Sequence, residues 1–519
     1  MILNYLVLIF TLTLSAYSQD TSYSLAFKRN RTDDKQPFFY RPDLSYQILQ
    51  QFRLIQKANS GDPFAQHELG IRLLLGEGLS ADTTLAVKWI KSAADKNLSS
   101  AEYNYAILLL NGIGVEWNPF EAYKYLKNSA YKEFPPAQYL TGLFFTDNLV
   151  VPIDWRKAYY WIYKSKQNGF NVEYDLLEFL EDKLPASFVD SIRKQQISFH
   201  SDKSVQFELL ENSSKYFEQP LNDKVSLSFI DFESKITIDS LKLVSRLVKD
   251  IVNLNLFNDT SLTHCKDVSD LVSKIKLDEL KYYSNYDVPE ILSLLGYLYQ
   301  NGILVERNDL IAAEYYLLAI RYDSQLAQIF LLELLDNNNF VQRLRKEIMA
   351  KNEVSKFVLY GLVNFRFFSD VILKDAYKLL EEASGNLHLS SINELALNYY
   401  TGNFYQKDIN KAIQLWKLAE SNGSVEATIR LLLSRIFNEN ENIDNKIIST
   451  LLSYEEKGSI LSQVALGYCF EKGRGTKINK AQASKYYRKA AQRGNMFAYQ
   501  RLKDLYNQIR PSSTEFKVN

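Results

Sequence analysis

Between residues 65 and 172 the apolar positions fall into helix-length runs separated by turns rich in Gly, Asn and Asp. Set in rows from Ala65, Ala101 and Ala137, a spacing of 36, these runs come into register. Each row opens with one apolar run, passes a turn and continues into a second run. The second run carries Ala at row position 22 (Ala86, Ala122, Ala158) and an aromatic at position 25 (Trp89, Tyr125, Trp161). In the first row the pattern predicts a helix over residues 65–75, a turn over 76–80, and a second helix capped by Asp82 or Thr83. Each row is thus a helical hairpin, with small Ala allowing close approach and the aromatic filling space between neighbours. One hairpin cannot bury its own apolar flanks; stacked neighbours make a continuous core, which is why the unit repeats.

The register returns from Ile291, with Gly296, Gly302, Ala312 and Tyr315 in place, and again from Ser391 and Ser462. Weaker rows start near Ala327, Lys356 and Ala427. Residues 181–290 lose it. There Leu243, Leu247, Ile251 and Leu254 stand at helical spacing, whereas residues 225–229 alternate as in a strand. Diverged helical hairpins are favoured for this stretch over an insertion that separates two arrays. Residues 45–58 read as one amphipathic helix, an N-terminal cap to the first array. The expected organisation is a leader over 1–18, a polar arm and capping helix over 19–64, a first array over 65–180, the irregular middle, a second array over 291–510 and a disordered tail over 511–519. The basic cluster Lys28-Arg29-Asn30-Arg31 reads as part of the solvated arm.

The glycines raise a chemical question. Gly70, Gly76 and Gly78 share their spacing with Gly467, Gly473 and Gly475. A phosphate-binding loop needs a preceding strand and usually Gly-Lys-Ser/Thr, and neither is present. The glycines therefore supply positive-φ or close-approach positions in the hairpin turn. Together with Ala86, Trp89, Ala93 and Ala94, and with Ala483, Tyr486, Ala490, Ala491 and Gly494, this framework resembles the Sel-1-like repeat, a relative of the tetratricopeptide repeat. The resemblance covers roughly 65–180 and 291–510. It implies an all-α, right-handed α-solenoid whose concave surface holds protein partners; family members serve as adaptors in signalling, in membrane-associated quality control and in exported bacterial proteins. The disulfide-rich branch of the family pairs cysteines in every repeat. With only Cys265 and Cys469, this chain falls outside it.

Residues 5–14 form an apolar run too short to span a bilayer, followed by Ser15-Ala16-Tyr17-Ser18 and polar Gln19-Asp20. That arrangement resembles a secretory signal peptide cut after Ser18, and places the mature chain in a secreted or periplasmic compartment, or in the endoplasmic reticulum lumen. No other stretch is long and apolar enough to anchor it in a membrane. Lys+Arg and Asp+Glu both total 61, so there is no overall basic field to attract nucleic acid. With 46% hydrophobic residues, 35 Tyr and 30 Phe against 19 Gly and 11 Pro, packed helices with short turns are expected.

Candidate chemistry is sparse. His67, His200, His264 and His388 lack the i, i+4 pairing of a metal site and read as solvated, and Cys265 and Cys469 read as two buried or idle thiols, with one disulfide between them as the alternative. Ser273-Lys274-Ile275-Lys276 matches the S-x-x-K of β-lactamases, but no S-D-N or K-T-G accompanies it. The acidic pairs Glu381-Glu382 and Glu455-Glu456 read as solvated faces. No catalytic, cofactor-binding or metal-ligating residue is assigned. The expected function is an exported, monomeric, non-catalytic scaffold for a protein or peptide. Gln66, Glu102 and Gln138 are candidates for its concave face by position, and the pairs Tyr159-Tyr160 and Tyr399-Tyr400 each offer one anchor with the other in the core. The alternatives are a lumenal adaptor of a degradation complex, for which the sequons at Asn97, Asn212, Asn258 and Asn422 would matter, and a β-lactamase-like or cell-wall hydrolase.

Overall fold

A computed structural model describes residues 44–172, 174–199, 277–336, 338–368, 371–438 and 440–518. They form two compact units, one holding residues 44–199 with 509–518, the other 277–508. All regular structure among the described residues is helical. The leader, the polar arm, the strand-like 225–229 and the helix-like 240–254 lie outside them.

In the first unit α1 (Leu44–Asn59) leads three hairpins: α2–α3 (Pro63–Leu75, Thr83–Ala94), α4–α5 (Ser99–Asn111, Pro119–Tyr131) and α6–α7 (Pro135–Phe144, Trp155–Gln167). Helices α8 (Tyr174–Asp182) and α9 (Ala186–Phe199) pack on α7. From α1 to α8 each helix packs on the next in chain order, as a solenoid requires. Helix α1 buries Leu54 and Ala58 against Ala65, Leu69 and Leu73 of α2, closing the apolar end of the stack.

The turns form for the reasons the sequence suggests. Asp82 caps α3, its carboxylate accepting from the Leu85 amide at 2.9 Å. Gly76 ends α2 at φ 73°, a left-handed conformation that a β-carbon would strain. Gly70 serves the other purpose. A β-carbon there would stand 2.5 Å from Ile90 Cγ1 and 3.0 Å from the Ala86 carbonyl, so its absence sets the approach of α2 to α3. Ala86, Ala122 and Ala158 are fully buried at the same contact in successive hairpins. The row aromatics bridge neighbours: Tyr125 donates to Asp95, just after α3, at 2.7 Å, and Trp161 packs edge-on against Tyr131 at the end of α5.

The second unit opens with α10 (Leu277–Ser284) and stacks six hairpins. They are α11–α12 (Pro289–Asn301, Asp309–Ile320), α13–α14 (Gln325–Leu335, Asn338–Met349), α15–α16 (Glu353–Asn364, Leu373–Gly385), α17–α18 (Leu389–Thr401, Ile409–Ser421), α19–α20 (Val425–Phe437, Asn445–Glu456) and α21–α22 (Ile460–Lys472, Lys480–Gln492), followed by α23 (Met496–Asn507). The weak rows near Ala327, Lys356 and Ala427 are helix pairs too, but their first helices end at Asp336, Phe365 and Asn438 rather than at glycine, and α12 packs directly on α15 past the α13–α14 pair. This array closes on itself. Arg493 after α22 grips Glu290 of α11 with two bonds of 2.9 and 2.7 Å, and the Met496 amide donates to Asp323 at 3.1 Å. Lys457 donates to the Tyr286 hydroxyl at 2.9 Å.

Residues 511–518, expected as a disordered tail, are ordered on the first unit. They form a 3-10 turn over Thr514–Phe516 and bury Phe516 completely. One aromatic in a polar stretch is a weak signal in sequence, yet it finds an apolar slot on α5.

Candidate partner-binding surface

The first helices do not present the residues expected of them. Gln66, Glu102 and Gln138 are only 4%, 1% and 0% exposed. Gln66 donates to the Ala58 carbonyl at 3.0 Å and accepts from Ser92 at 3.0 Å. Gln138 donates to the Ala130 carbonyl at 3.2 Å and accepts from Asn168 at 2.9 Å. Glu102 pairs with Lys132 at 2.7 Å. The second row position lies in the first turn of its helix, tucked against the end of the preceding one, whose last carbonyls have no donor within that helix. Gln66 and Gln138 donate to such carbonyls, whereas the Glu102 carboxylate, which can only accept, meets the Lys132 ammonium instead.

The second unit turns the polar residues of its first helices inward. Arg321, after α12, reaches Glu394 of α17 at 3.0 Å and Glu426 of α19 at 2.8 Å, and Arg430 pairs with Glu426 at 2.7 Å. The Tyr360 hydroxyl donates to Glu394 at 3.1 Å, and that of Tyr322 to Asp287 at 2.7 Å. Burial alone would raise the Glu426 carboxyl, but Arg321 and Arg430 outweigh it and hold the group below the usual range. Asp287 has no cation so close. Burial, reinforced by Glu426, pushes it up to about 7 against the opposing pull of Arg321, Arg430 and the Tyr322 hydroxyl. This is an internal ionic hub joining α12, α17 and α19.

The surface that does hold a ligand-like element is a second helix. Phe120, Tyr123, Lys124 and Lys127 stand at i, i+3, i+4 and i+7 on α5, one continuous stripe. Residues 509–518 lie on it. The Phe516 ring meets Phe120 at 5.2 Å and Tyr123 at 6.0 Å, both edge-on, with the Lys124 ammonium 5.9 Å from the ring centre. Glu515 pairs with Lys127 at 2.5 Å. Arg510 donates to the Leu149 carbonyl and to the Phe516 carbonyl, each at 2.7 Å. Two cavities flank the segment. One of about 560 Å³ is bordered by Asp95, Glu102, Glu121 and Tyr125 with Ile509 and Pro511. The other, of about 350 Å³, is bordered by Tyr131, Thr141, Phe145 and Trp161 with Glu515. In sequence this stripe is indistinguishable from a core-facing one; the two lysines completing it are the only hint of a surface.

The anchor pairs behave as expected in one respect: Tyr159 and Tyr399 are buried while Tyr160 and Tyr400 are half-buried. The histidines do not read as expected. His67 is buried, its ring within 2.7 Å of the Asn104 amide and 3.5 Å of the Ser100 hydroxyl, and burial lowers it to about 4. His388 lies 2.8 Å from Ser391 and 3.2 Å from Glu314. Cys469 is a buried thiol pushed up to about 12 by desolvation. Of the acidic pairs, Glu381 and Glu382 are exposed, whereas Glu455 is partly buried, pairing with Lys489 at 2.9 Å. Cys265, His200, His264 and Ser273 to Lys276 lie outside the described residues. Among the described residues no group of three His, Cys, Asp or Glu could hold a metal ion, and no helix is long and apolar enough to cross a membrane.

Hairpins packed in chain order, glycine-ended first helices and inter-hairpin aromatics define a helical-repeat protein of the interaction-scaffold type. The Sel1 repeat profile matches residues 63–98, 99–133, 135–170, 292–321, 389–424 and 460–495: the chain carries six Sel1 repeats. Among curated proteins it is 32% identical over 107 residues to DAP3-binding cell death enhancer 1 of Rattus norvegicus and to that of Mus musculus. That match takes in 20% of this chain and 21% of each relative. Among solved structures it is similar to a protective antigen of uropathogenic Escherichia coli with an SLR fold, at 20% identity and TM-score 0.29 over 88% of this chain and 82% of the other. A Sel1 repeat protein from Oxalobacter formigenes aligns at 29% identity and TM-score 0.24 over 25% of this chain and 97% of its own.

Proposed function

We propose that this chain is an exported, non-catalytic scaffold that binds a protein or peptide partner. The observation that carries the reading is the segment 509–518, held on α5 by one buried aromatic, one ion pair and hydrogen bonds to main-chain carbonyls. Those are the contacts by which a helical surface holds an extended peptide. Binding is assigned to the second-helix surface of the first unit, because the first-helix candidates are consumed inside the stack. The name of the mammalian relatives records binding of a protein, DAP3, over a chain that shares about a fifth of its length with this one. Export rests on the leader-like 1–18, and the expected mature chain begins at Gln19.

The test is cross-linking of the tagged full chain in the exported fraction, followed by titration of whatever it captures. Saturable binding of a defined protein is expected; a chain that saturates with none overturns the reading. N-terminal sequencing that begins at Met1 would remove the exported compartment. A second reading, a lumenal adaptor of the endoplasmic reticulum, is favoured by the exposure of both described sequons, Asn97 and Asn422. Glycosidase-sensitive mass on the chain would select it.

A further inference from the structure

We infer that the stripe Phe120, Tyr123, Lys124 and Lys127 on α5 is a recognition site for an extended peptide in which an acidic residue directly precedes a bulky aromatic one. Glu515-Phe516 of the same chain occupies that site in cis. This rests on the scaffold reading above and names the partner's chemistry.

Four observations set segment 509–518 apart from a structural element. It belongs to the body of the first unit although the whole second unit lies between them in sequence, and it continues no repeat. Of residues 511–518 only Phe516 is fully buried, and residues 512–515 and Lys517 are exposed. Besides the Phe516 ring, Arg510 holds the segment by a 2.7 Å bond to the Leu149 carbonyl and by lying 5.2 Å from the centre of the Phe120 ring. Its one ion pair, Lys127 with Glu515, is 35% and 40% exposed, the kind that contributes little net binding. Finally, the segment does not fill the groove. Each flanking cavity is bordered by a buried polar atom without a hydrogen-bond partner among the described residues, Glu102 Oε2 in the larger and Thr141 Oγ1 in the smaller. Both atoms are closed off from solvent, so it is the open volume of the two cavities, not these atoms, that a longer ligand would fill.

The chemistry specifies the ligand. The aromatic slot between Phe120 and Tyr123 takes a flat ring edge-on. Lys127 sits one residue before that ring along the ligand and selects a carboxylate, while Lys124 beside the ring disfavours a cationic neighbour. A partner displaces the cis segment by mass action, so the occupied groove presents a lowered apparent affinity until the segment leaves.

The experiment uses the full chain and a fluorescein-labelled peptide of residues 509–519, read by anisotropy. The Phe516→Asp chain, which ejects its own segment, is expected to bind the peptide at least tenfold more tightly than the wild type. Adding Lys127→Glu to that chain should weaken binding about threefold, as expected of an exposed pair, and a peptide carrying Glu515→Lys should restore it. If Phe516→Asp unfolds the first unit, the segment is a structural strap and the inference is overturned; circular dichroism melts decide this, with the milder Phe516→Ala chain as a second ejected form. A folded ejected chain that binds no better than the wild type also overturns it, as does charge reversal without rescue. If the cross-linked partner still saturates a chain that ignores the peptide, this inference alone fails; if neither binds, the scaffold reading falls with it.

Discussion

At the scale of single residues, the hairpin contact tolerates almost no added atom. Gly70 faces Ile90 and the Ala86 carbonyl, backbone and branched side chain that have little room to retreat. Gly70→Ala is expected to destabilise the first unit by about 1–3 kcal/mol, read as a lower urea midpoint at unchanged slope. His67 gives a second residue-scale expectation. Its folded pKa of about 4 lies below the ordinary 6.5 because burial penalises the charged ring. Its contribution to stability is therefore present above pH 6.5 and is lost as pH falls towards 4. The loss amounts to about 3 kcal/mol for a shift of this size. The protection of α2 and α4 amides, relative to their intrinsic exchange at each pH, should fall between pH 6.5 and 4.5 in the wild type and less so in His67→Gln.

At the scale of elements, polar pins and apolar packing cooperate across each helix junction. Gln138 ties the last turn of α5 to α6 and to Asn168 after α7. Gln138→Leu keeps the bulk but leaves the Ala130 carbonyl and the Asn168 amide without this partner, a cost of about 1–3 kcal/mol. Faster exchange confined to the junction of α5, α6 and α7 would show it. Much of this level was legible in the sequence: hairpin turns, glycine roles, buried Ala and bridging aromatics all follow from spacing, since they repeat at a fixed interval. The pins were not. Gln and Glu at a regular helix position look solvated unless the end of the preceding helix is known to lie over them. The ordered 509–518 was illegible for a related reason, because a single Phe among polar residues has no period to betray it.

At the scale of whole units, the second array depends on charges brought together from distant positions, which no periodicity reveals. Glu290 is kept ionised below the ordinary range because Arg493 offsets the desolvation that would raise it. Arg493→Ala leaves that carboxylate without its cation and is expected to cost about 3 kcal/mol and to part α11 from α22. Double electron–electron resonance between spin labels on those helices would report the wider distance. Asp287 works in the opposite sense to His67. Its folded pKa of about 7 exceeds the ordinary 3.8, so its favourable contribution is complete below pH 3.8 and declines as pH rises through 7. The Asp287→Asn chain should lose that part of the pH dependence between 5 and 7.5 in melts of the second unit. Closure has one more consequence. An open stack can shed terminal repeats one by one, but an array whose ends are clasped has no free edge from which to fray. It should melt in one cooperative step. During translation the strap waits for Arg493, 203 positions after Glu290, on the order of 10–40 s at ordinary ribosome speeds, an interval in which a chaperone would find the nascent array open.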